Sequence, residues 1–376
     1  MHVALNGWFL NRPDTGSGQY LVGLAGALKE IDLALRLTVI VPQGWEADPP
    51  PSVDLHPVPR RGRGHGAKVR FEQQAVPRAA SALGADLLHV PYWAAPLQSP
   101  VPVVVTIHDL IPLLLPAYRG GALARAYTGL VAASARGAAA ALADSDATRR
   151  DILAHLHLPP ARVHTVPLAA AGRYRPEGNR GADDAVRRKY GLPPEYVLYL
   201  GGYDVRKNVH TLLKAFTYVR DGYDIPLVLA GRPPGAITPR FLDIPRYIDE
   251  MGLADAVQVV GWVDEADKPA LYRMASCFAY PSRYEGFGLP VLEALACGTP
   301  VVTTNAASIP EVVGEAGFLV DPDDARGMGG AILATLVQEE VAADLRARGP
   351  LRAAHFSWVR TAEETLAVYE QVYQER

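Results

Sequence analysis

Cysteine is scarce, two residues in 376, Cys277 and Cys297. Two thiols cannot make a disulfide framework or a Cys-rich zinc site. Each sits in an apolar segment, as a buried thiol of a reducing compartment does. Long apolar runs are missing too. The stretch from Val101 to Ala117 comes nearest, and His108, Asp109 and three prolines break it, short of the roughly 18 apolar residues a membrane span needs. The start, Met1-His2-Val3-Ala4-Leu5-Asn6-Gly7, has no basic segment and no long apolar one, so no secretory leader is expected. A basic excess is absent: Lys and Arg total 37 against 40 Asp and Glu, a net charge of −3. That excludes a general nucleic-acid footprint. Glycine (34) and proline (32) show no three-residue period, which excludes collagen and favours a loop-rich fold. The expectation is a soluble cytoplasmic protein.

What is present is ordinary globular material, 49% hydrophobic and 20% charged. The length predicts two to three domains at about 150 residues each. Short apolar runs alternate with helical periodicity. Val3-Ala4-Leu5, Leu37–Val41, Leu87–Val90, Val103–Ile107, Ala140–Ala143 and Val163–Val166 read as buried strands. A second series follows at Tyr196–Leu200, Pro226–Ala230, Val257–Val260, Cys277–Tyr280, Pro300–Thr303 and Gly317–Val320. Between them lie helix patterns such as Tyr20, Leu21, Leu24, Ala27 and Leu28, spaced by three and four. The fold class is therefore α/β, two doubly wound parallel sheets. The boundary is expected within Pro167–Gly191, and a closing amphipathic helix over Trp358–Arg376, with Ala362, Thr365, Leu366, Tyr369 and Val372 on one face. Two such domains are expected to face each other across a cleft, where ligands bind at the C-terminal ends of strands.

The segment Pro281-Ser-Arg-Tyr-Glu285-Gly-Phe-Gly-Leu-Pro290-Val-Leu-Glu293 is the most informative. A strand ends near Tyr280, a glycine-rich turn follows, and Pro290 suits the first helical turn. Backbone N–H groups at such a helix start suit an anion such as a diphosphate. Glu285 and Glu293 are then placed to accept hydrogen bonds from hydroxyls, one set on a sugar and one on a ribose. Glutamates eight apart mean little alone; the strand-turn-helix context gives them weight.

This motif resembles the Glu, seven residues, Glu motif of the retaining GT-B glycosyltransferases of family four. Thr106-Ile-His108-Asp109-Leu-Ile-Pro resembles the first-domain catalytic loop of the bacterial mannosyltransferase branch. Gly201-Gly-Tyr-Asp-Val-Arg206-Lys207-Asn208 resembles its phosphate-binding turn, and Ser308-Ile-Pro310-Glu311-Val312-Val-Gly314 and Phe318-Leu-Val-Asp321-Pro322 match later segments. The resemblance covers nearly the whole chain. It implies two Rossmann-like domains, 1–170 on the acceptor side and 171–357 for the nucleotide-sugar, with 358–376 crossing back to the first.

Carried over, Glu285 would bind donor-sugar hydroxyls and Glu293 the ribose. Phe287, Gly288, Leu289 and Pro290 would touch sugar and phosphate through the backbone, although Pro290 has no N–H to give. Arg206 and Lys207 would neutralise the diphosphate. Gly202 stands where several relatives have an Arg, so the two-cation clamp falls to the adjacent pair. Gly16 and Gly18 resemble the N-terminal glycine loop that approaches the donor; the third glycine of a dinucleotide fingerprint is missing, which disfavours a dehydrogenase. His108 would reach the donor sugar near the reaction centre, with Asp109 holding the imidazole tautomer. Gly261 and Trp262 resemble the segment near the nucleotide base, or form a plain strand-end turn. Asp144-Ser145 reads as a structural turn before a helix. Tyr92 and Trp93 resemble an acceptor-side loop, or pack internally. Asp321, Asp323 and Asp324 read as a capped surface turn rather than a metal site. No metal and no cofactor are expected.

The resemblance thus implies retaining transfer of a hexose, first choice mannose from GDP-mannose, to a saccharide or lipid-linked saccharide, with a UDP-sugar as the alternative donor. Other classes remain open, a nucleotide-sugar epimerase and a non-catalytic nucleotide-sugar-binding protein. The basic run Arg60-Arg61-Gly62-Arg63-Gly64-His65-Gly66 reads as a solvated loop whose charge also suits a phosphate-bearing acceptor or peripheral contact with the inner face of a membrane. No nucleic-acid partner is expected.

Overall fold

The short apolar runs form two parallel sheets. The structure, a computed structural model, describes residues 1–12, 15–45, 49–59, 62 and 64–375. Arg60, Arg61 and Arg63 of the basic loop lie outside the described residues. The chain divides into two units, Met1–Leu168 with Ser357–Arg376, and Ala169–Phe356.

In the first unit the strands are β1 (His2–Asn6), β2 (Arg36–Pro42), β3 (Asp54–Val58), β4 (Leu87–Val90), β5 (Val103–Ile107), β6 (Ala140–Ala143) and β7 (Val163–Thr165). They are ordered β3-β2-β1-β4-β5-β6-β7. Helices cover both faces of such a sheet, so the central strands read as unbroken apolar runs rather than alternating ones. Val3, Ala4 and Leu5 are fully buried accordingly. β3 is the strand the sequence did not reveal. It is an edge, paired only with β2, its Leu55 is exposed, and it carries Pro57, which an edge tolerates.

The closing helix Trp358–Gln374 packs against the helix Gly16–Ile31. A Cβ on Gly23 would lie 2.5 Å from the Trp358 indole, so glycine there lets the ring seat against the backbone. Thr361 donates to the Pro167 carbonyl at 2.7 Å. Its buried face comprises Thr361, Ala362, Thr365, Val368, Tyr369 and Val372, with Leu366 only partly buried.

In the second unit the strands are β8 (Val197–Leu200), β9 (Leu227–Ala230), β10 (Val257–Gly261), β11 (Cys277–Tyr280), β12 (Val301–Thr304) and β13 (Gly317–Val320), ordered β10-β9-β8-β11-β12-β13. Both cysteines are buried and unpaired. Among the described residues no helix is long and apolar enough to cross a membrane.

Candidate active site

Each sheet has one point where the chain reverses its direction of winding. In the second unit it lies between β8 and β11, in the first between β1 and β4. Parallel sheets bind ligands outside the C-terminal ends of strands at such points, because loops leaving in opposite directions open a crevice there.

At the β8/β11 switch point the two motif turns meet. Arg206 and Lys207, in the one-turn helix Val205–Lys207 after β8, close on Glu285 in the turn after β11. Lys207 Nζ lies 2.7 Å from Glu285 Oε1, and Arg206 Nη1 lies 2.6 Å from Oε2. Ser282 Oγ donates to Oε1 at 2.6 Å and the Tyr280 hydroxyl at 3.0 Å. Burial alone would push this carboxyl up. The Lys207 and Arg206 charges, with hydrogen bonds from Lys207 and Ser282, overcome it and hold Glu285 at about 2, so it is ionised at any working pH.

Two side chains outside the cage fix it. Asn208 is left-handed at φ 56°, a conformation asparagine tolerates better than most residues. Its Nδ2 donates to the carbonyls of Pro281 (3.1 Å) and Pro322 (2.7 Å), which ties the β8 turn to two other loops. The Ser308 hydroxyl lies 2.8 Å from the carbonyls of both Glu285 and Phe287, drawing those oxygens inward. Gly288 then takes φ 108° and caps the helix Leu289–Ala296, with Pro290 in its first turn. The amides of Phe287 and Leu289 flank that cap at a helix start, where N–H groups lack intrahelical acceptors. Phe287 is buried, its ring edge-on to Phe356.

Glu293 does not join the cage. It is buried on the second turn of the same helix and accepts from the Tyr272 hydroxyl at 3.1 Å. Burial dominates here, and neither the Lys268 charge nor the tyrosine hydroxyls cancel it, so the carboxyl is raised to about 7. Gly261 (φ 74°) and Trp262 lie at the end of β10, two strands from β8. The Arg232 guanidinium, just past β9, sits 4.5 Å over the half-exposed Trp262 ring.

In the first unit the helix Gly16–Ile31 starts beyond β1, capped by Thr15, whose Oγ1 accepts from the Gly18 amide. The two glycines differ. A Cβ on Gly18 would lie 2.0 Å from the Arg12 carbonyl oxygen, whereas one on Gly16 would meet nothing within 4 Å among the described residues. Gly18 is thus required by packing.

His108 follows β5. Its Nδ1 lies 2.7 Å from Asp144 Oδ2 and its Nε2 3.2 Å from the Pro91 carbonyl. Here the expectation for Asp109 is corrected: Asp144, one position past β6, holds the imidazole, while Asp109 Oδ1 accepts from the Ile111 amide at 2.9 Å. The Asp-Ser turn read as structural supplies this partner, and its Ser145 caps the next helix. Both ring nitrogens face acceptors, an arrangement only the doubly protonated ring satisfies. Burial lowers the His108 pKa, but the Asp144 carboxylate, joined by the Asp109 charge and the Pro91 carbonyl, outweighs it and the net shift is upward.

Behind His108 runs a buried polar chain. Tyr369 OH lies 2.5 Å from His89 Nδ1, His89 Nε2 lies 2.8 Å from Thr106 Oγ1, and Thr106 Oγ1 lies 2.9 Å from Tyr20 OH. The Tyr20 ring stands edge-on to His108 at 5.0 Å. Burial holds His89 down at about 3, hence neutral. Sequence reasoning missed this chain, whose members come from four separate elements.

Among the described residues no group of three His, Cys, Asp or Glu side chains is arranged to hold a metal ion. Asp324 caps a helix through the Gly327 amide, Asp321 accepts from the Asp323 amide, and Asp323 pairs with Arg283, so the acidic run is a surface turn.

Comparison with known proteins supplies the relatives. A family model described as glycosyl transferases group 1 matches residues 183–352, and one described as glycosyltransferase family 4 matches residues 15–169. The chain is 34% identical over 271 residues to O-antigen chain mannosyltransferase B of Escherichia coli, covering 71% of this chain and 70% of that one. It is 28% identical over 281 residues to the serotype-specific mannosyltransferase WbdA of Escherichia coli, covering 73% of this chain but only 34% of that longer protein. Sucrose-phosphate synthase from Thermosynechococcus elongatus superimposes with a TM-score of 0.80 at 21% identity over 100% of both chains. The fold is therefore that of the GT-B glycosyltransferases, as the motif resemblance implied.

Proposed function

The chain belongs to the group 1 glycosyl transferases, and on that footing we propose that it transfers mannose, with retention, from GDP-mannose to a saccharide acceptor without a metal. The observation that carries this reading is the cage of Arg206, Lys207 and Glu285 at the β8/β11 switch point. The choice of mannose is supported by the relatives named as mannosyltransferases.

In this reading the diphosphate settles on the amides at the start of the helix Leu289–Ala296, and Arg206 and Lys207 stabilise the charge that grows on the leaving phosphate. Glu285 keeps the two cations in place and accepts from donor-sugar hydroxyls. It is a poor nucleophile, because both of its oxygens are engaged and its basicity is low. That favours departure and attack on one face of the sugar, the leaving phosphate taking the acceptor proton, over a covalent glycosyl-enzyme. Glu293 accepts from the ribose, Gly261 and Trp262 bind the base, and Gly16 and Gly18 serve as the donor-binding glycines of the first unit. His108 donates through Nε2 to a sugar hydroxyl, exchanging the Pro91 carbonyl for it, while Asp144 keeps the ring charged.

Calorimetric titration with GDP, GDP-mannose, UDP and UDP-glucose, in EDTA and then in magnesium, tests the proposal. Metal-independent preference for the guanosine ligands supports it. Preference for the uridine ligands keeps the enzyme class and replaces the donor. A glycosyl adduct on the protein, seen by mass spectrometry, would end the one-face mechanism.

A further inference from the structure

Three strand ends of the second unit are tied together beside the cage. Gly231, the first residue after β9, donates its N–H to the Gly261 carbonyl at the end of β10 at 2.7 Å. On its other side a Cβ would lie 1.9 Å from the Gly201 carbonyl oxygen of the β8 turn, so only glycine lets β9 end this close to both neighbours. The next residue is Arg232. The loop it opens runs on to the helix Ile244–Glu250 and returns to the cage turn, where the Val205 N–H donates to the Arg240 carbonyl at 2.8 Å. Arg232 thus sits at the C-terminal edge of the sheet, on the strand next to β8.

The donor chemistry above leaves its side chain unused. The guanidinium lies 4.5 Å over the Trp262 ring, and among the described residues it has no hydrogen-bond or ion-pair partner. From Gly231 to Leu242 the loop holds no Asp or Glu. Asp264, two positions past Trp262, is paired with Lys189 at 2.7 Å. The N–H donors of a guanidinium all lie in its own plane. Contact through its face with the indole therefore fixes the group and leaves its N–H edge unengaged. Trp262 is itself 41% exposed. A large ring left open to solvent beside an unpaired arginine is the combination on which nucleobases stack.

We propose that Arg232 selects the base of the donor, its guanidinium fork donating to O6 and N7 of guanine beside Trp262. The place suits a base. Adjacent strands stand about 4.8 Å apart, so the end of β10 lies roughly 10 Å from that of β8, which is the length of a ribose and a base counted from a diphosphate on the cage. The chemistry suits guanine. Guanine presents two acceptors side by side, O6 and N7, whereas adenine presents N7 beside an amino donor. The two carbonyls of uracil are separated by an N–H donor. A pair of parallel N–H groups fits the guanine edge alone. The inference deepens the GDP-mannose reading proposed above and rests on it.

Calorimetry on the full chain tests it with GDP, UDP and 7-deaza-GDP, which lacks the N7 acceptor, for the unaltered protein and for Arg232→Met. Methionine keeps an unbranched stem against the indole and removes the donors and the charge. Loss of charge weakens every nucleoside diphosphate alike, so the readout is the ratio of affinities. In the unaltered protein GDP should bind about tenfold more tightly than 7-deaza-GDP, the effect of one lost hydrogen bond to a charged donor. In Arg232→Met the two should bind equally, and the preference for GDP over UDP should fall roughly 10- to 100-fold, the span of one bidentate base contact. A GDP-to-UDP ratio untouched by the substitution, whether both affinities hold or both fall together, would overturn the inference alone. So would 7-deaza-GDP binding as tightly as GDP in the unaltered protein. A preference of the unaltered protein for UDP would overturn the GDP-mannose reading and the inference with it, so the two failures are distinguishable.

Discussion

Glu285 and Glu293 are separated by two helical turns of sequence and are 9% and 5% exposed, yet one is held at about 2 and the other pushed to about 7. Burial is common to both and opposes ionisation in both. The difference comes from what faces each carboxylate. Glu285 has two cations at 2.6 and 2.7 Å and hydroxyls at 2.6 and 3.0 Å. Glu293 has a tyrosine hydroxyl at 3.1 Å, with Lys268 as its main attracting charge and Glu265 opposing it. One is a permanent anion that organises positive charge. The other is a hydroxyl acceptor whose charge state follows pH near neutrality.

The largest effect expected from breaking this contrast follows removal of a cation from the first site. Lys207→Met should lower kcat/KM for transfer by about 10²- to 10³-fold, the usual scale for one preorganised charge-stabilising group. A change of only a few-fold in steady-state rates would detach the cage from the chemistry. Next is the pH dependence of stability. Glu293 is raised in the folded protein, so the folded state binds the extra proton, and stability falls as pH rises from about 4.5 through about 7. The span is on the order of 3 kcal/mol. Glu285 runs the other way, its contribution complete above about 4.5 and lost on acidification toward 2. Urea unfolding at pH 5 and pH 8 should show the fall in the unaltered protein and a flatter profile in Glu293→Gln.

Asp144 extends the comparison to a carboxylate that perturbs its partner. Because His108 is raised when folded, its contribution is complete below the ordinary imidazole value near 6.5 and is lost as pH rises through its folded pKa. Asp144→Asn should lower the His108 pKa, read by imidazole NMR, and move the alkaline limb of transfer activity to lower pH. It should cost roughly 2 kcal/mol of stability, the scale of a hydrogen bond to a charged group. An unmoved His108 titration would leave the orienting role without support. The smallest effect belongs to Tyr369→Phe, which removes one neutral hydrogen bond and keeps the ring. About 1 kcal/mol in thermal unfolding is expected, with His89 still neutral.

The sequence gives different amounts away in different places. The central strands were legible because a parallel strand covered on both faces is an unbroken apolar run, as at Val103–Ile107 and Cys277–Tyr280. The edge strand β3 was not, since one partner and an exposed face leave Asp54–Val58 without that signature. The motif turn around Glu285 was legible as a local strand-turn-helix pattern. The partner of His108 was not. Asp109 is its neighbour in sequence, but the strand carries that carboxylate onto the Ile111 amide, and Asp144, 36 positions away, arrives at Nδ1 because β5 and β6 are adjacent and parallel.

The sequence by itself determined the class of fold, the places where turns follow strands, and the residue types at those turns, because these depend on periodicity and on what glycine and proline permit within a few residues. Tertiary structure alone decided which charges meet. Arg206 and Lys207 reach Glu285 only because β8 and β11 are neighbours across the reversal of the sheet, and Tyr369 reaches His89 only because the last helix packs beside Gly23. Hydrogen bonds and ion pairs act over about 3 Å, so their effects on Glu285, Glu293 and His108 follow distances that residues tens of positions apart acquire only on folding.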